Sequence, residues 1–157
     1  MGLAYKARGA DKIWDTATDN SMCQINTIVD LRDFLKTDVT ISDRGSSTLV
    51  VSFPEIDPVR QLKVPARTTT VNLKVITVSS AFRPRGIGSE FCLQQFSFDY
   101  EKKTVQAKDI ILKLQQAEPG DIAIITIAIE YEIMGKDQKL LNPKWLPVAV
   151  IAMGRLK

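Results

Sequence analysis

From about Thr70 onward, apolar and polar residues alternate with a period of two, the spacing that sends successive side chains to opposite faces of a strand. The clearest run covers residues 121–134. Ala123, Ile125, Ile127, Ile129, Tyr131 and Ile133 share one side, while Ile122, Ile124, Thr126, Ala128, Glu130 and Glu132 share the other. The second side changes from apolar to acidic at Glu130, which predicts a central strand that begins buried on both faces and ends with one face in water. Residues 71–78, 96–100 and 110–114 repeat the alternation. Further runs occur at 48–53 and 146–153, with Pro147 near the start of the second, where a missing donor is tolerated; 39–42 reads as a short edge.

Polar breaks at 83–88, 101–103 and 118–120 separate these runs. The break at 101–103 is short enough for a hairpin loop, so the strands at 96–100 and 110–114 are expected to pair antiparallel. About seven strands, with no long amphipathic helical pattern after Val39, predict a mainly all-β fold. The expected form is an antiparallel two-sheet β-sandwich, immunoglobulin-like or jelly-roll-like. One short helix, favoured over a strand-like arm, is expected at 24–36, where Ile25, Ile28, Val29 and Arg32 follow three-four spacing while Leu31 and Phe34 fall off that face. Residues 1–20 are polar around a single Trp14 and read as an arm, ordered by docking, ahead of one domain at 21–157.

Composition supports a chain that folds alone: 157 residues, 45% hydrophobic and 25% charged, suit one hydrophobic core. The 21 basic and 18 acidic residues are interspersed and give a net charge of +3, a weak pull toward nucleic acid or anionic lipid. A nucleic-acid contact through Arg60, Lys63, Arg67, Arg83 and Arg85 is therefore not favoured. The chain contains no histidine, which excludes histidine-ligated zinc, a Ser-His-Asp triad and a Cys-His dyad. Cys23 and Cys92 lie far apart and read as two separate thiols. The N-terminus lacks the apolar core of a secretory signal, so the chain as given is expected to be cytoplasmic, assembled into a particle, or already processed. The longest apolar run, 122–129, is far short of the roughly 20 residues that span a bilayer, and no membrane insertion is expected.

Few constellations carry chemistry. Arg83 and Arg85, held apart by Pro84, could clamp a phosphate or carboxylate; the plainer reading is a solvated inter-strand turn. Asp43, Glu55 and Asp57 lack the spacing of a calcium loop, and no metal or cofactor is expected. Glu130 and Glu132 lie about 6–7 Å apart on a strand face, a distance compatible with glycosidic chemistry, yet no accompanying base or oxyanion motif supports catalysis. Phe91, Phe96, Phe98, Tyr100 and Tyr131 are expected in the core. Trp14 and Trp145 stand in polar or loop-like settings, as partner anchors or as plugs at the end of the sandwich. These features favour a non-enzymatic structural or protein-interaction module, self-assembling or part of a virion or similar particle. The alternative is a carbohydrate-binding module working through loops 54–69 and 83–90.

Overall fold

The computed structural model describes residues 6–7, 14–16, 23–45, 47–83, 86–134 and 142–157, with backbone alone at 6–7, 14–16, 23–24, 81–83 and 86–87. The described chain is mainly β. Its strands in order are β1 (Lys6–Ala7), β2 (Trp14–Thr16), β3 (Cys23–Gln24), β4 (Thr40–Asp43), β5 (Thr48–Phe53), β6 (Thr68–Arg83), β7 (Gly86–Asp99), β8 (Lys108–Lys113), β9 (Ile122–Ile133) and β10 (Val148–Arg155). The smaller sheet runs β1-β4-β5-β8; the larger runs β2-β10-β9-β6-β7, with β3 also paired to β10. All pairings are antiparallel except the two-residue contact of β1 with β4. The described strands number ten rather than about seven, because short pieces of the segment read as an arm and helix add to the sheet edges.

Period-two patterning explains the long strands. On β6, Val71, Leu73 and Val75 are buried, and the register sets them beside Tyr131, Ile129 and Ile127 of β9. The smaller sheet adds Ile41, Leu49, Val51 and Leu112 to the same hydrophobic cluster. Burial of each such side chain is worth roughly 1.5–3 kcal/mol, which makes this shared cluster the main source of cohesion between the sheets. A bulge in β10 between Val150 and Ala152 leaves both Ile151 and Ala152 buried.

One expectation is narrowed and one is overturned. The helix expected at 24–36 is confined to α1 (Leu31–Phe34), capped by the Asp30 side chain. Tertiary bonds hold the preceding residues out of it: Ile25 donates its N–H to the Val148 carbonyl at 2.9 Å, and the Asn26 amide reaches the Pro143 and Leu146 carbonyls. The buried face of the segment is formed by Leu31, Phe34 and Leu35, whereas Ile25 and Ile28 are exposed. A second short helix, α2 (Pro58–Gln61), begins at an Asp57 cap.

The expected hairpin around 101–103 is also absent. β7 pairs with β6 in the larger sheet, and β8 pairs with β5 in the smaller. The chain changes sheets between them, anchored where Val105 and Ile56 exchange backbone hydrogen bonds at 2.8 and 2.9 Å. The long hairpin is instead β6–β7, paired continuously from Thr70 opposite Asp99 to Arg83 opposite Gly86, so Arg83 and residues 86–88 of the expected break belong to its strands.

Candidate functional site

The register of the larger sheet arranges its outer face in rows. Met153, Ile124, Val78 and Phe91 stand opposite one another across β10, β9, β6 and β7. The adjoining row is Val150, Thr126, Ile76 and Leu93. The β10 bulge is what lets Val150 and Met153 share this face although they are three residues apart. Phe91 is 62% exposed, Met153 49%, Leu93 44% and Val78 40%. These four side chains together offer on the order of 300 Å² of apolar surface, within the range of the largest patch on a typical folded monomer, which is often functional.

Toward the opposite end the same face is polar and its groups engage one another. Lys74 is ion-paired with Glu130, and the Asn72 amide donates to Glu132 at 3.2 Å. Gln95 donates to Asn72 at 3.0 Å and to Ser97 at 2.6 Å. Glu130 and Glu132 are therefore members of a side-chain lattice across β6, β7 and β9. The face is thus divided, with two largely apolar rows beside a linked polar network.

β7 is an edge strand, since no described strand pairs with its far side. Its sequence contains neither lysine nor proline, two residues that commonly blunt such edges. One inward carboxylate, Glu90, accepts the backbone N–H groups of Gln115 and Gln116 at 2.6 and 2.7 Å and ties β7 to the loop after β8.

No family model, curated protein or solved structure matches the chain.

The residues singled out in the sequence fall mostly elsewhere. Trp145 lies half-buried in the 3₁₀ turn Pro143–Trp145, edge-on to Phe34 with ring centroids 5.7 Å apart. Trp14 pairs in register with Gly154, and Arg83 ends β6; the side chains of both, and all of Arg85, lie outside the described residues. Lys63 sits over the Phe34 ring at 4.9 Å. Asp57 caps α2, and Asp43 accepts the N–H groups of Gly45 and Lys157. Among the described residues no group of three or more acidic or thiol side chains is arranged to hold a metal. No helix among them is long and apolar enough to cross a membrane. Cys92 is a free, half-buried thiol; the Cys23 side chain lies outside the described residues.

Of the five aromatics expected in the core, Tyr131 is fully buried, and Phe96, Phe98 and Tyr100 pack against the cluster. Phe91 is the exception, and its exposure is the first mark of the outer patch. The patch was foreshadowed where the outward positions of β6 turn from Asn72 and Lys74 to Ile76 and Val78. Its extent depends on which strands lie side by side, which periodicity alone does not specify.

A depression of about 560 Å³ lies between the loop before β4, the end of β5, the last residue of α2 and the start of β8, with Lys36, Asp38, Glu55, Gln61 and Asp109 on its walls. It draws on loop 54–69 but not on 83–90. Phe53 is its one aromatic lining residue and is only 1% exposed, so no ring face is offered for stacking on a sugar.

Proposed function

We propose that the two sheets form a sandwich-like scaffold for a non-enzymatic protein-interaction module, one that assembles with copies of itself or with another protein in a particle such as a virion. The observation that carries this reading is the apolar row of Met153, Ile124, Val78 and Phe91 across four strands, with Phe91 62% exposed. Covering large apolar side chains gains roughly 1.5–3 kcal/mol each when burial is complete, and a flat sheet face presents several of them at once. The neighbouring polar network supports the same reading, because a polar border beside an apolar patch is the usual layout of an interface rim.

The test is sedimentation velocity over a concentration series, for the intact chain and for the Val78→Asp, Phe91→Asp double variant. The expected result is a mass that rises with concentration in the first and stays at one chain in the second. A single-chain mass throughout for the intact protein would overturn self-assembly. Carbohydrate binding through the depression beside Lys36 and Asp109 is the second reading; a glycan array read with the same protein tests it, and silence on the array removes it.

A further inference from the structure

We infer that the copy-to-copy contact is made by β7 pairing antiparallel with β7 of a second molecule about a two-fold axis at Cys92, joining two larger sheets into one. The inference rests on the self-assembly reading and specifies its geometry. Three observations lead to it. The far edge of β7 is unpaired among the described residues over a strand of fourteen residues, and carries no lysine or proline to discourage addition. Two of the four exposed apolar residues of the outer face, Phe91 and Leu93, sit on that same edge strand. An interface that used the sheet face alone would leave the open edge unexplained, whereas pairing at the edge sets Phe91 of each copy beside Leu93 of the other.

The register follows from side-chain chemistry. In an antiparallel pair residues directly opposite share a face, so Cys92 opposite its own counterpart places Phe91 opposite Leu93 and Leu93 opposite Phe91. The row Met153–Ile124–Val78–Phe91 then continues into the partner's row of Leu93, Ile76, Thr126 and Val150, forming one apolar band across the joined sheet. On the inner face Glu90 meets Gln94, so no two carboxylates oppose each other. Shifting by two residues along the strand, in the direction that brings Phe91 opposite Phe91, sets Leu93 against Ser89. A shift of two the other way sets Phe91 against Gln95. Centring the pair on Glu90 opposes two like charges, which is destabilising. The Cys92-centred register is the one that matches apolar with apolar and keeps the acids apart, and backbone pairing supplies affinity as in strand addition generally.

The test uses two single-thiol proteins on a Cys23→Ser, Cys92→Ser background, one carrying Ser89→Cys and the other Gln95→Cys, both at exposed outer positions. In the proposed register residue 89 of one copy lies opposite residue 95 of the other, while the two residues 89 lie about 20 Å apart along the strands. A short bismaleimide should link the mixed pair and leave each protein alone unlinked. A Leu93→Lys variant should raise the dissociation constant by at least about tenfold, the equivalent of 1.4 kcal/mol. If that variant unfolds, Ser89→Lys, at an exposed position, replaces it. A dimer in sedimentation that gives no 89–95 link, or links 89 to 89, overturns the β7 pairing while leaving self-assembly standing; absence of any dimer removes both.

Discussion

Replacing Tyr131 by phenylalanine tests how its buried phenol contributes to stability. Tyr131 is 1% exposed on β9, and its hydroxyl donates to the Lys63 carbonyl at 3.0 Å, linking the central strand to the segment between α2 and β6. Removing that donor costs about 1 kcal/mol near neutral pH, the usual net value of such a bond. Burial also pushes the phenol well above the usual tyrosine range. With the folded-state value raised, the unfolded chain releases the proton first. The contribution is therefore complete below the unfolded value near 10 and is lost as pH rises from there toward the folded value. The native protein should lose about 1.4 kcal/mol per pH unit above pH 10 through this one group, a loss that Tyr131→Phe does not share. The two stability curves should accordingly cross near pH 11, by roughly the point where one proton's linkage equals the hydrogen bond lost. Urea unfolding of both proteins from pH 7 to 11.5 reads this directly. A constant gap between them across the whole range would refute the reasoning.

Other substitutions address separate features. Thr77 is fully buried on the inner face of β6, and its hydroxyl has no hydrogen-bond partner among the described residues, so Thr77→Val should raise stability by about 1–2 kcal/mol in urea titration. Arg67 holds a φ of 66°; Arg67→Gly should be neutral or stabilising by about 1 kcal/mol, and Arg67→Val should be destabilising, as thermal melts will show. Asp30 caps α1, and hydrogen bonding from Arg32 holds its carboxyl below the usual range despite partial burial. Asp30→Ala should cost about 1 kcal/mol at neutral pH. The folded-state value is depressed, so Asp30 stabilises above the unfolded value near 3.9 and stops doing so as pH falls through the folded one; acid titration of the variant should lack that component.

How much was legible in the sequence depended on whether a segment's pattern arose locally. β9 was readable almost to its ends because both of its faces alternate, and β5, β8 and β10 were marked by short β-branched runs. The segment at 24–36 misled because its apparent face, Ile25 and Ile28, is exposed, while bonds to residues 143–148 fix its path and Leu31, Phe34 and Leu35 enter the core. The polar tripeptide at 101–103 looked like a hairpin loop, but nothing local reveals that Val105 pairs with Ile56 and carries the chain to the other sheet. The outer patch was visible only in fragments. Phe91 and Val78 are thirteen positions apart in the chain and become neighbours through the β6–β7 register.

The β5–β8 pairing joins residues 48–53 to 108–113, with the whole β6–β7 hairpin between them. During synthesis the hairpin therefore emerges before either sheet is complete: β8 is not yet available to β5, and β9 has not arrived to cover the other side of β6. Two ribosome-bound chains brought together at that moment would each present raw strand edges, and closing the intervening loop is slow because its ends are far apart in sequence. The nascent protein is thus most exposed to mispairing in the interval before residue 133 leaves the exit tunnel, and folding helpers that act during translation would have their largest effect there.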